Sequence, residues 1–326
     1  IIGGRYGLSS KDTTPIQVVG VYDNLQLPEP KNGFTIGIVD DVTFLSLPKK
    51  DEISIVPEGT FEAKFYGLGA DGTVGANKNS IKIIGDSTDK YVQAYFSYDS
   101  KKSGGITISH LRFGDKPIRS IYLVGTPNFV ACHVPAYLTK YDMLKGIKEN
   151  GTFLLNSSWD AKTTLAHLPA KIRKTLAAKN ISMYIIDATS IADEIGLGNR
   201  TNTIMQSAFF KVSEVIPYTL AVEQMKAFIV KSYGMKGEEI VAMNFAAVDR
   251  GGAVTKVEIP KEWAKIDVAA EEAKVDASIP DFDYDRDRVD DTEIIEIPDE
   301  TSETDSGILD STKVDFKKAI KRNHHW

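Results

Sequence analysis

One cysteine, Cys132, serves 326 residues. A cubane iron–sulfur cluster takes four thiolates, so this chain alone holds none, and there is no even cysteine set to build a disulfide framework. Cys132 stands in an apolar, strand-like segment and reads as a buried structural thiol. No apolar run reaches the roughly 20 residues that span a bilayer. No signal-peptide pattern opens the chain, so the expectation is a cytoplasmic protein with no membrane partner. A basic excess is missing too: 39 Lys and Arg face 45 Asp and Glu, a net charge of −6 that opposes nucleic-acid binding. Any anionic ligand must therefore be met by local cations. His110 and His133 each lack a second histidine or carboxylate at ligand spacing, His167 lies in a helical pattern, and His324-His325 makes a poor site by itself. No metal is expected, and His110 and His133 read as core or surface histidines.

What is present begins with glycine. The run Tyr66-Gly67-Leu68-Gly69-Ala70-Asp71-Gly72-Thr73-Val74-Gly75-Ala76-Asn77-Lys78 follows a strand-like stretch, 61–66, and opens a helix-like one. Gly67, Gly69 and Gly72 permit a tight turn and close approach to a ligand. The first amides of a helix point unpaired N–H groups at an anion, and Lys78 adds a point charge. A second strand-like segment, 91–98, completes a β-α-β pattern, so the turn lies where open parallel sheets bind nucleotides. The alternative is a glycine-rich turn that serves packing only. Asp99, at the end of the second strand, is placed for ribose hydroxyls. Lys101, Lys102 and Ser103 follow it and suit a ligand with more phosphate than NAD carries, coenzyme A or NADP. Arg112 and Arg119 flank a turn from which they could join the lysines, with salt-bridged or solvated arginines as the other reading.

The stretch from Tyr66 to Gly85 resembles the pyruvate:ferredoxin (flavodoxin) oxidoreductase family. So do residues 98–104 (YDSKKSG), 109–114 (SHLRFG), 128–133 (NFVACH), 151–156 (GTFLLN) and 202–206 (NTIMQ), in that family's order. The likeness starts at residues 3–11 (GGRYGLSSK) and runs to 244–248 (NFAAV). It implies an internal portion of a longer polypeptide, in keeping with an initial Ile, with 59–262 as a gamma-type domain. Scattered Pro and Gly with short strand-like runs make residues 1–58 a domain end and linker, and spread Asp and Glu make 263–326 an acidic flexible tail or linker.

The resemblance further implies that the gamma-type domain binds coenzyme A, whose thiol accepts the acyl group after thiamine-dependent decarboxylation of pyruvate, with electrons passing to ferredoxin or flavodoxin. The candidate binding residues are then Gly67, Gly69, Asp71, Gly72, Thr73, Gly75, Asn77, Lys78, Lys101, Lys102, Ser103, Arg112 and Asn202. No catalytic residue carries over, since those around thiamine belong to other domains. Thiamine diphosphate, Mg and [4Fe-4S] clusters belong to the whole enzyme, whose other partners are its remaining domains and a second copy of itself. Ala70-Asp71-Gly72 is followed too soon by Asn77 to be the thiamine motif. The tail does not resemble the family. Two other classes stay open: a structural assembly module, and an NAD(P)-binding domain using Asp99.

For fold, residues 35–39 and 42–47 read as short strands in the linker. From 59 to 250 strands and helices alternate: strands at 105–112, 120–124, 152–156 and 181–187, and helices around 137–148, within 160–179, and at 190–195, 201–213 and 218–232, with Thr201 or Asn202 as cap. The expectation is a three-layer α/β domain, its mostly parallel sheet covered on both faces.

Overall fold

Among the described residues, 1–58 supply one helix and two three-residue strands, a small amount of regular structure from which to bury a core. In the computed structural model, which describes residues 1–7, 13–39, 42–48, 50, 53–98 and 105–271, β1 (Gly4–Tyr6) and β2 (Phe34–Ile36) pair in parallel, joined through α1 (Pro15–Leu25). Pro15 suits the first turn of α1, where its missing N–H costs nothing, and Gln17 Oε1 accepts the Thr14 N–H at 2.9 Å. The strand expected at 42–47 contributes a single bridge, Thr35 to Ser46.

The alternation of apolar residues then builds the main sheet. β3 (Phe61–Leu68) leads through the glycine turn into α2 (Thr73–Ser87), and β4 (Tyr91–Tyr98) and β5 (Ile106–Gly114) follow. β6 (Phe129–Cys132) precedes the one-turn α3 (Tyr137–Lys140). β7 (Thr152–Asn156), α4 (Ala161–His167), α5 (Ala170–Ala178), β8 (Ser182–Ile186) and α6 (Ala188–Glu194) come next. Three helices, α7 (Asn202–Ser213), α8 (Tyr218–Tyr233) and α9 (Glu238–Arg250), run before the closing β9 (Thr255–Val257).

Among the described residues the sheet order is β4-β5-β3-β6-β7-β8-β9. Pairing is parallel from β3 through β6 and β7 to β8, and antiparallel where β5 and β9 join. β3, β4, β6, β7 and β8 therefore point one way. The expected β-α-β unit is present but split, because β5 threads between β3 and β4 and pairs with both.

Side chains alternate between two cores, as the period of a strand requires. Phe65, Ala131 and Leu154 join Leu111, Phe113 and Phe129 beneath α2, α7, α8 and α9. Tyr66, Cys132 and Leu155 join Val130, Phe153 and Met183 on the other face, under α3, α5 and Trp263. The fold is thus α/β, a mixed sheet whose strands mostly run in one direction, with helices on both faces.

Three expected elements differ. The helix expected at 137–148 stops at Lys140, where Tyr141 turns extended, and Gly146 sits at φ 76° beside the Gly125 carbonyl. Residues 120–124 form no strand; their backbone instead takes the side chains of Gln93, Arg112 and His110. The periodic stretch 160–179 is two helices, because Pro169 lacks an N–H and holds Leu168 extended. Residues 266–326 form a separate unit, described only to 271, where Asp267 Oδ1 accepts the Ala270 N–H at 3.2 Å. The tail expected at 263–326 lies mostly outside the described residues, as do Asp99, Lys101, Lys102 and Ser103.

Candidate functional site

The carboxyl ends of β3, β6 and β7 meet at one rim, and the glycine turn closes it. Gly69 N–H donates to the Gly105 carbonyl at 2.8 Å, tying the turn to the start of β5. Gly67 has no room for a side chain: a Cβ there would stand 2.6–2.9 Å from the Thr73 side chain. Gly72, at φ 86°, takes a left-handed conformation that caps α2.

Asp71 folds back into this turn. Its Oδ2 accepts the Leu68 N–H at 2.8 Å and the Thr73 hydroxyl at 2.8 Å, and its Oδ1 accepts the Thr73 N–H at 2.7 Å. The first amide of α2 is thereby taken by the protein's own carboxylate. Val74 and Gly75, in the same first turn, have N–H groups that helix geometry leaves without intrahelical partners. Gly75 is exposed, and nothing lies within 4 Å of where its Cβ would be.

Asn202, the first residue of α7, lies against Gly72: a Cβ on that glycine would sit 3.0 Å from the amide carbon. The expected cap position for α7 is right, since Thr201 precedes it, but no side-chain cap bond forms. One turn along the facing helices, Asn77 and Gln206 are buried, and Asn77 Nδ2 and Gln206 Nε2 have no hydrogen-bond partner among the described residues. Lys78 lies over β4, its ammonium 5.5 Å from the centre of the Phe96 ring. A cavity of about 300 Å³ lined by Ser97, Tyr98, Ile106, Ile108 and Tyr141 opens at the same end of the sheet.

His133, which follows β6, was expected to be an ordinary core or surface histidine. Its Nδ1 lies 3.0 Å from Thr73 Oγ1, inside the turn network. Burial lowers its pKa to about 4 against the opposing pull of Asp71. The contact spans sixty residues of sequence, and the only trace of it beforehand was a lone histidine at the end of an apolar strand. Cys132 beside it is fully buried, its thiol donating to the Val134 carbonyl at 3.1 Å while burial pushes its pKa up to about 12.

Arg112 is not at the turn. β5 runs antiparallel to β3, which pairs Arg112 with Glu62 at the start of β3, whereas the glycine turn follows the far end. Six residues of strand separate the two, on the order of 20 Å. Arg112 Nε donates to Glu62 Oε1 at 2.9 Å, and Nη1 donates to Gln93 Oε1 at 2.9 Å and the Tyr122 carbonyl at 2.7 Å. Only 3% and 1% of the two charged side chains is exposed, so this is an interior ion pair and not a phosphate ligand.

The sequence model described as pyruvate ferredoxin/flavodoxin oxidoreductase matches residues 62–254. The chain belongs to the pyruvate ferredoxin/flavodoxin oxidoreductase family. It is 55% identical over 283 residues to the pyruvate:ferredoxin oxidoreductase of Moorella thermoacetica, and 51% identical over 285 residues to the pyruvate-flavodoxin oxidoreductase of Enterobacter agglomerans. Each alignment covers 86% of this chain and 24% of the relative, so the chain spans about a quarter of these family members. The crystal structure of pyruvate oxidoreductase subunit PORC from Thermotoga maritima has the same fold, with a TM-score of 0.51 at 23% identity, covering 62% of this chain and all of that one. The family match contains the glycine turn, His133 and Asn202; residues 1–61 lie before it.

Proposed function

We propose that this chain is the coenzyme-A-binding portion of a larger pyruvate:ferredoxin or pyruvate:flavodoxin oxidoreductase. In that reaction pyruvate loses CO2 and its acetyl group passes to the coenzyme A thiol, while electrons leave to ferredoxin or flavodoxin. Thiamine diphosphate supplies the decarboxylation chemistry when bound elsewhere in such an enzyme. The residues here do not fit it or its Mg ion: Asp71, the carboxylate of the glycine turn, already accepts three hydrogen bonds. Nor do they fit a cluster, since the one cysteine is buried with its pKa pushed up.

The observation that carries the reading is the open first turn of α2. Val74 and Gly75 offer N–H groups to a diphosphate, the helix N-terminus favours its charge, and Asn202 borders the turn at Gly72. Lys101, Lys102 and Ser103, in the segment between Tyr98 and Gly105, take the remaining phosphates in this reading. The cavity by Tyr141 offers apolar wall to the organic part of the ligand. The domain's contribution is to position the thiol toward a reaction centre in a neighbouring domain.

Gly75→Asp tests this cleanly. The position is helical and open, so a first-turn aspartate fits without clash and favours the helix dipole. The variant should melt no lower than the parent yet bind coenzyme A at least about tenfold more weakly, a change of one decade in Kd. Unchanged affinity would count against the site.

A second reading, an assembly module, draws on exposed apolar residues: Val39, Val42 and Phe44 in the N-terminal segment and Ile121 in the loop before β6 are each at least 75% exposed. Such surface suits contact with the remaining domains of the enzyme or a second copy, and it is compatible with coenzyme binding at the rim.

A further inference from the structure

We infer that His133 is a positioning residue: through the Thr73 hydroxyl it holds the Asp71 carboxylate back in the glycine turn and so keeps that charge off the ligand amides. The function of the contact rests on the coenzyme reading above; its geometry does not.

The hydrogen-bond directions follow from the groups. A carboxylate only accepts, so the Thr73 O–H donates to Asp71 Oδ2. The same hydroxyl oxygen lies 3.0 Å from His133 Nδ1. With its proton already given to Asp71, Thr73 can only accept there, and His133 must donate from Nδ1. The neutral ring is therefore the Nδ1–H tautomer. Its Nε2 then bears a lone pair, buried and without a partner among the described residues.

Everything around the ring fixes it. The His133 N–H donates to the Tyr66 carbonyl at 2.9 Å, and Asn156 Nδ2 donates to the His133 carbonyl at 3.0 Å, so β3 and β7 clamp its backbone. Phe65 meets the imidazole edge-on at 6.4 Å between centroids. Thr73 is 1% exposed and packs on Gly67. Asp71, by contrast, is only half-buried, and it sits at a helix N-terminus whose next amides are open. Freed from Thr73, its carboxylate can swing onto those amides and compete with an incoming phosphate, because both are anions seeking the same donors. The contact from His133 through Thr73 prevents this.

Two measurements decide the matter. Nitrogen-15 NMR of the histidine side chains in the wild-type chain at neutral pH should show His133 protonated at Nδ1 and bare at Nε2; the opposite tautomer overturns the inference whether or not coenzyme A binds. Calorimetric titration with coenzyme A should show Thr73→Val, isosteric but without the hydroxyl, about tenfold weaker. Thr73→Ser and His133→Asn, whose amide replaces the Nδ1 donor, should stay near wild type. The double variant Thr73→Val, Asp71→Asn should recover affinity, because a neutral side chain no longer competes. A packing role alone predicts no such recovery, and its absence, or unaltered binding by Thr73→Val, overturns the inference. If the wild-type chain binds no coenzyme A at all, the functional half of the inference falls with the proposed function, and the tautomer still decides the geometry.

Discussion

At Glu62 one carboxylate meets two cations. Arg112 Nε and Lys148 Nζ lie 2.9 Å and 3.1 Å from its two oxygens, and Thr126 Oγ1 adds a third donor at 3.1 Å. The pair is out of water, so its worth lies less in attraction than in the penalty of breaking it: removing one partner strands the other charge in the interior. Glu62→Leu should destabilise the chain by about 3–5 kcal/mol in urea denaturation. Arg112→Ala should destabilise too while leaving coenzyme A affinity unchanged, which separates this residue from the ligand site; weakened binding by a folded Arg112→Ala would reopen its role there.

Two buried histidines set a pH dependence at the same scale. Burial lowers the pKa from the ordinary 6.5 to about 4 for His133 and about 3 for His110. His110 Nδ1 also accepts the Val124 N–H at 3.2 Å, which requires that nitrogen to be bare. Between the folded and unfolded values the unfolded chain binds more protons, so stability rises with pH there and is lost as pH falls. The loss should begin below pH 6.5 and be complete near pH 4 for His133 and pH 3 for His110. Each histidine accounts for on the order of 3–5 kcal/mol. Urea midpoints at pH 7 and pH 5 check this, and His110→Gln should flatten the profile; a midpoint that does not move between the two pH values contradicts it.

Among elements, those with a clear period were legible in advance. Thr152–Asn156 is apolar and short, and it is the strand expected. The helix starting near Thr201 and the one starting at Tyr218 were equally readable, with apolar residues at helical spacing. α9 was missed although its signals were present: Gly237 before it, Glu238 and Glu239 in the first turn and Arg250 in the last. β9 has three residues with only Val257 buried, too few to show a period. The larger misreading was topological. Nothing in residues 106–114 says that this strand returns antiparallel beside β3, and that reversal is what carries Arg112 away from the glycine turn. The turn itself was legible as glycine spacing. That Asp71 would occupy it, and that His133 would support it from sixty residues away, was not, because hydrogen bonds between distant side chains leave no periodic mark.

At the scale of the molecule, the chain spans about a quarter of its relatives. Among the described residues, the two-stranded sheet of β1 and β2 is extended only by the Thr35–Ser46 bridge on the far side of β2, and so small a sheet is marginal in water by itself. Both the short N-terminal sheet and the exposed apolar side chains near it are accounted for if further domains pack there. The seven-stranded sheet needs no such completion: it packs a core on each face, and its carboxyl rim with the glycine turn is where the proposed coenzyme would sit. The most direct test is calorimetric titration of the chain with coenzyme A, dephospho-coenzyme A, NAD and NADP, repeated with Lys101 and Lys102 both changed to Ala. Coenzyme A should bind saturably, with weaker binding of the dephospho form and by the double variant. Preferential binding of a nicotinamide cofactor, or no binding of any of the four, would contradict it.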